Sequence, residues 1–111
     1  MKTLNWLALF FLAVTVLNYP NPFNPAAGET TSIEYSLTAD AGITIYIFNL
    51  LNQPIKRISC PSGQNGGRAG LNQVVWDGYT DFNELAANDA YVARVVSGGK
   101  QIGKCKIVVL R

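Results

Sequence analysis

Apolar and polar residues alternate along most of the chain. Ile33, Tyr35 and Leu37 fall on one side of an extended segment, and Ser32, Glu34, Ser36 and Thr38 fall on the other. A period of two predicts a half-buried strand over 32–38. Ala39-Asp40-Ala41-Gly42 reads as a turn. Ile43, Ile45 and Ile47 then alternate with Thr44, Tyr46 and Phe48, and because both faces carry apolar residues this second strand is expected to be central. Residues 49–54 turn the chain into a short strand over 55–60, and residues 61–70, with four glycines, read as a flexible hairpin loop. Another strand covers 71–76 and ends at Asp77-Gly78. After a polar stretch over 79–89, two last strands over 90–97 and 101–110 meet at Gly98-Gly99, the composition of a tight hairpin turn. Pro20, Pro22 and Pro25 remove backbone N–H groups that a helix or a central strand needs, so this segment is expected to lie extended along a sheet edge. Six or seven short strands punctuated by turn residues predict an all-β, antiparallel sandwich.

The first residues follow a different pattern. Met1, Lys2 and Thr3 make a short basic start, and residues 4–17 are apolar except for Asn5 and Thr15. This is the layout of a signal peptide and points to export. Fourteen residues of helix span about 21 Å against a hydrocarbon core of roughly 30 Å, which makes a transmembrane helix the weaker reading. Ala13-Val14-Thr15 is a poor match to the small-residue pair that signal peptidase prefers, so an uncleaved anchor, or a strand that joins the fold, stays open beside the cleaved signal. The chain divides into a signal-like or anchoring segment, 1–17, and a β domain, 18–111.

Composition narrows the function. A chain of 111 residues supports one core, and 49% hydrophobic with only 14% charged residues excludes intrinsic disorder. Nine basic and seven acidic residues, net +2, are scattered without a basic run, which argues against nucleic acid as a partner. The absence of histidine removes Ser-His-Asp and Cys-His catalysis and His-containing zinc sites. With no convincing carboxylate pair either, no acid–base couple can be named, and the expectation is a protein that is not an enzyme and uses no cofactor.

The remaining candidates are weak ones. Asp77, Asp81, Asn83 and Glu84 gather oxygen ligands of the kind a hard cation takes, but their spacing is not that of an EF-hand and its turn glycine is missing; a polar loop is the stronger reading. The glycines of 61–70 lack the Gly-Lys-Ser/Thr ending of a phosphate-binding loop. Tyr46, Phe48, Tyr79 and Phe82 could stack on a sugar, whereas aromatic residues of a small sandwich more often pack in its core or along its edges, so carbohydrate is the minor reading. Cys60 and Cys105 invite one disulfide in an exported chain, yet an Ig-like arrangement would set their strands at opposite edges of one sheet, beyond the roughly 7 Å that a disulfide spans between Cα atoms.

One block is highly specific. Asn18, Tyr19, Pro20, Asn21, Pro22, Phe23, Asn24 and Pro25, followed by the Ile33-Glu34-Tyr35-Ser36-Leu37 strand, the Ile45-Tyr46-Ile47-Phe48-Asn49 strand with its Leu50-Leu51-Asn52-Gln53 turn, Trp76-Asp77-Gly78, Tyr91 and a terminal Lys106-Ile107-Val108-Val109-Leu110-Arg111, resemble in order and spacing the C-terminal sorting domain of type IX secretion cargo. The same pattern is shared with the Ig-like domain of the flagellar hook-capping protein, and the resemblance covers residues 18–111. It implies an Ig-like or fibronectin III-like sandwich of about seven strands that acts as an address rather than a catalyst. Its partner would be the outer-membrane secretion machinery and its destination the cell surface or the medium. It also implies a principal recognition element in the last strand: Lys104, Lys106, Ile107, Val108, Val109, Leu110 and Arg111. Apolar residues on both faces, Ile107 and Val109 against Val108 and Leu110, suit a strand that pairs with the sheet while offering an edge to a receptor; a plain core strand is the alternative.

Departures from the family pattern carry their own expectations. Asp89-Ala90 stands where a glycine is usual, which puts the stability of that loop in doubt, and Phe82-Asn83 replaces an Asn-Gly or Asp-Gly turn, with Asn83 able to take positive φ. Family members carry a large cargo between signal peptide and sorting domain, and here the two abut. That leaves a truncated product, an isolated domain, or a small free-standing subunit of a filament, hook-cap or surface assembly, whose partners would be like subunits.

Overall fold

The computed structural model describes residues 14–111. Seven strands form in chain order: β1 (Leu17–Tyr19), β2 (Thr31–Leu37), β3 (Ile43–Phe48), β4 (Pro54–Cys60), β5 (Gly70–Trp76), β6 (Asp89–Ser97) and β7 (Lys100–Val109). All pair antiparallel, in a three-stranded sheet of order β1-β2-β5 and a four-stranded sheet of order β4-β3-β6-β7. The chain changes sheets three times, between β2 and β3, between β4 and β5, and between β5 and β6. This is the antiparallel sandwich that the alternation predicts, in the Ig-like or fibronectin III-like form that the resemblance implies.

The alternation also assigns the faces. Ile33 and Tyr35 of β2, Ile43, Ile45 and Ile47 of β3, Val74 and Trp76 of β5, Tyr91, Ala93 and Val95 of β6, and Ile107 and Val109 of β7 are buried between the sheets. β3 is central, paired with β4 on one side and β6 on the other. Its second face, Tyr46 and Phe48, is half-buried on the outside of the sheet. β1 pairs with β2 alone, so the proline-bearing segment starts from a sheet edge as expected.

Residues 61–70 differ from their prediction. They are a crossover between sheets and not a hairpin, because β4 and β5 lie in different layers. Nor are their glycines there for flexibility. The Tyr35 hydroxyl donates to the Gly66 carbonyl (2.7 Å), the Gly66 N–H donates to Asn72 Oδ1 (2.8 Å), and Asn72 Nδ2 donates to the Arg68 carbonyl (2.8 Å). A Cβ on Gly66 would collide with Cys60, so the residue is needed for close approach. Fully buried Asn72 organises this loop from a position that alternation alone marks only as inward-facing.

The β6–β7 turn does follow its expectation: Gly98 and Gly99 take φ of 58° and 78°, the two-residue turn that matches strand twist. Asn83 has φ of 63°. Asp89, by contrast, is extended at the start of β6, paired with Val109, and its carboxylate accepts from the Ala90 N–H, so the doubt about its conformation is lifted.

Part of the apolar N-terminal segment belongs to the sandwich. The Val14 N–H donates to the Ile102 carbonyl (2.7 Å), and Val16 is buried against Gly103, where any Cβ would collide with Val14 and Val16. The rest of the signal-like segment, residues 1–13, lies outside the described residues. Among the described residues no helix is long and apolar enough to cross a membrane.

Candidate functional site: the last strand and the segment that seals it

β7 is an edge strand by sheet order, yet its outer side is largely occupied. Residues 14–23 run beside it, with β1 in their middle. Beyond the Val14 contact, the Asn21 carboxamide docks like a peptide group: Nδ2 donates to the Lys106 carbonyl (2.9 Å) and Oδ1 accepts from the Val108 N–H (2.8 Å). Phe23 forms a parallel bridge with Val109, its N–H donating to the Val108 carbonyl (3.1 Å) while its own carbonyl accepts from the Leu110 N–H (3.0 Å). Arg111 is held in turn, its N–H donating to Asn88 Oδ1 (2.7 Å). Ile107 and Val109 point into the core, Val108 is half-buried, and Lys104, Lys106 and Leu110 are exposed. Along β7 the stretch with the least cover is the one around Lys104.

The residues that carry the family resemblance converge on this seal. Phe23, 1% exposed, meets Trp76 edge-on at 5.6 Å between ring centroids, and Trp76 meets Tyr91 at 5.9 Å. Such pairs add directional attraction to the apolar burial. Tyr91 donates its hydroxyl to the Ala87 carbonyl (2.7 Å), the tyrosine corner of Ig-like sandwiches, and burial pushes its pKa up. Gly78, at φ of 84°, lies against Pro25 so closely that a Cβ there would collide with it. Asn24 Oδ1 accepts from the Ala27 N–H and caps a short 3-10 turn, Pro25–Ala27. Asn18 Nδ2 donates to the Thr31 hydroxyl (3.1 Å), which itself donates to the Pro20 carbonyl (2.9 Å). Asp77 Oδ1 accepts from the Tyr79 N–H, and the Trp76 indole N–H donates to the Tyr79 carbonyl. Tyr19, 77% exposed, faces solvent.

The other candidates are dispersed. Asp77 and Asp81 spend their oxygens on backbone N–H groups, and Asp81 also pairs with Lys56 at 3.5 Å. Together with Asn83 and Glu84 they form no gathered ligand set: among the described residues no three His, Cys, Asp or Glu side chains are placed to hold a metal ion. Cys60 and Cys105 are free thiols on β4 and β7, at opposite edges of the four-stranded sheet. Burial raises the pKa of Cys60 and pushes that of Cys105 up to about 11, so both are protonated at neutral pH. Tyr79 and Phe82 are exposed on the 77–88 segment and stack with neither Tyr46 nor Phe48, whose own rings lie 6.2 Å apart on the outer face of the four-stranded sheet.

Charge is where the linear reading needs correcting. The basic residues form no run in sequence, but folding gathers them: Lys56, Arg57, Arg94, Lys100, Lys104 and Lys106 all lie in the four-stranded sheet, and the strands of the three-stranded sheet contain no Lys or Arg. Alternation puts 104 and 106 on one face of β7, but only the β6–β7 register sets Arg94 beside them.

Neither a family model nor a curated protein matches the sequence. Among solved structures, the fold is similar to part of PorZ, an essential bacterial surface component of the type-IX secretion system of Porphyromonas gingivalis. That match covers 86% of this chain and 11% of PorZ, at 19% identity and a TM-score of 0.58. It is also similar to FlgD from P. aeruginosa over 79% of this chain and 64% of FlgD, at 14% identity and a TM-score of 0.57. The chain spans about a tenth of PorZ and somewhat under two thirds of FlgD. At these identities the likeness is one of fold alone.

Proposed function

We propose that this chain is a non-catalytic export module, an Ig-like sandwich of the kind that the type IX machinery reads on its cargo and delivers to the cell surface. The observation that carries the reading is the convergence of the family-like residues, 18–25, 76–78 and 91, on β7. Positions spread over the whole domain build one unit whose effect is to hold the last strand in place. A similar sandwich within PorZ is consistent with it. The partner would be the outer-membrane secretion machinery, meeting the exposed positions of β7 and the residues that follow it, Lys104, Lys106, Leu110 and Arg111. The test is to fuse the chain behind a periplasmic reporter in a host with a type IX apparatus. Surface display that depends on the apparatus is expected, and a folded fusion that stays periplasmic would sink the reading.

A structural subunit of an extracellular or hook-cap assembly is the second reading. It is favoured by the likeness to FlgD and by exposed apolar side chains on the outer face of the three-stranded sheet: Leu17 at 63%, Tyr19 at 77%, Leu71 at 56% and Val75 at 57%. Under this reading sedimentation shows concentration-dependent assembly that Leu71→Ser with Val75→Ser abolishes. A monomer at all concentrations would count against it.

A further inference from the structure

Two transverse rows cross the outer face of the four-stranded sheet. Tyr46 pairs with Arg57 on one side and Arg94 on the other, and Arg94 pairs with Lys104. In the next row Phe48 pairs with Val92, and Val92 with Lys106. Arg94 and Lys104 therefore stand directly opposite each other, about 5 Å apart at Cβ, an arrangement of like charges that disfavours strand pairing. No acid relieves it. β3, β4 and β7 contain no Asp or Glu, and the carboxylate of β6, Asp89, is at its first position bonded to the Ala90 N–H. Among the described residues the salt bridge is Lys56–Asp81, which leaves Arg57, Arg94, Lys104 and Lys106 without one. Arg94 is steadied by neutral partners only, its guanidinium donating to Gln101 Oε1 (2.9 Å) and lying over the Phe48 ring, so the row of cations keeps no counter-charge, which marks a surface shaped by more than folding.

The same face is concave. A groove of about 370 Å³ runs over β6 and β7, with Ala90, Val92 and Leu50 giving it an aliphatic floor and wall and Arg94, Lys104 and Lys106 a cationic rim. Leu50 is 64% exposed at the β3–β4 turn. Lys104 and Lys106, two residues apart on one strand, set positive charges about 7 Å apart, the interval between alternate side chains of an extended polypeptide. A base or a sugar ring would need a free aromatic face. Phe48, the ring beside the groove, has the Arg94 guanidinium over it at 5.1 Å from its centroid.

We infer that this groove docks an acidic, aliphatic-containing peptide segment of a partner protein, an aliphatic side chain resting on Ala90, Val92 and Leu50 while flanking carboxylates reach Arg94, Lys104 and Lys106. The occupant is chosen by charge complementarity and by the aliphatic floor, and the inference stands whether or not the chain is an export module. The probe is a fluorescein-labelled ten-residue peptide of alternating glutamate and leucine, titrated into the full chain and followed by anisotropy, beside its glutamine counterpart, a single-stranded oligonucleotide and a sulfated polysaccharide. Saturable binding of the acidic peptide is expected. It should weaken at least tenfold in Arg94→Gln with Lys104→Gln, stay within twofold in Arg68→Gln with Lys100→Gln, and be lost with the glutamine peptide. The double substitution removes a repulsive pair together with the Arg94–Gln101 bond and the Arg94–Phe48 contact, so its melting temperature should stay close to that of the parent, and a single cooperative melt separates lost binding from lost fold. Peptide binding that is indifferent to Arg94 and Lys104, or an oligonucleotide or polysaccharide that binds as tightly as the peptide, overturns the inference.

Discussion

The four-stranded sheet ends in β4 on one side and β7 on the other, and the two edges are finished with very different material. β7 is covered by a proline-rich arm that contacts it at Ile102, Lys106 and Val108, and Leu110 just beyond it, and drives the Phe23 ring into the core. β4 is covered by Asp81, whose carboxylate accepts from the Arg57 N–H (3.0 Å) and pairs with Lys56, and whose N–H donates to the Ile55 carbonyl (2.9 Å). Lifting the first cover exposes buried apolar surface; lifting the second exposes a few polar groups already near water. An edge strand's tendency to recruit another strand is set by what opening it costs, so the two edges of one sheet differ in availability although both are edges by topology.

The sharpest way to break this contrast is Phe23→Ala. Truncating a fully buried aromatic that packs on Trp76 should cost about 3–5 kcal/mol, read as a fall in the midpoint of urea unfolding. A loss below about 1 kcal/mol would mean that the arm is not anchored by its ring. Next come the two polar latches, taken as a pair. Asn21→Ala leaves the Lys106 carbonyl and the Val108 N–H without their partner, an expected cost of about 1–2 kcal/mol with faster amide exchange at Val108. Asp81→Ala should cost under about 1 kcal/mol, because the ion pair is solvent-exposed. Equal losses would erase the distinction between the edges.

The smallest effect is a pH dependence, for each edge strand carries one thiol. Burial raises the folded pKa of Cys105 from 9.0 to about 11 and raises that of Cys60 as well. The fold therefore favours the protonated thiols. Their contribution is complete below pH 9 and is lost as pH rises through the interval up to about 11, where the unfolded chain releases protons first. Tyr35, whose hydroxyl burial also holds well above its ordinary value, adds to the same alkaline limb. Denaturant midpoints at pH 8 and pH 10.5 should differ less in Cys105→Ala than in the parent chain. An unchanged difference would remove Cys105 from the explanation.

Strand positions and faces could be read from the residues because they depend on local alternation: Ile43, Ile45 and Ile47 declare a buried face, and Gly98-Gly99 a two-residue turn. Neighbours could not, since alternation says which way a side chain points and not which strand lies beside it. That is why residues 61–70 read as a hairpin although β4 and β5 belong to different layers. It is also why the basic residues looked scattered until β6 and β7 set Arg94 opposite Lys104. The Asn18–Pro25 block was recognisable as a pattern, yet its role was not, because the partners of Asn21 lie 85 and 87 residues further on. No window of sequence spans that distance. Asn72 escaped notice for a related reason: its buried carboxamide makes sense only once the 61–70 loop folds back over it.

The arm that seals β7 has a consequence for how the domain comes together in time. The last of the seven strands closes against residues that precede and follow the first, so the chain must be present over nearly its whole described length before the final contacts can form. Closing so long a loop is entropically expensive and slow compared with forming the β6–β7 hairpin. Until β7 is in place, Phe23 lacks its bridge to Val109 and Tyr91 its pairing with Ile107, and a chain interrupted between β6 and β7 would leave the Phe23–Trp76–Tyr91 stack without that support. The clasp thus works as a proof of completeness: the domain becomes a finished, quiet object only after its last strand has arrived.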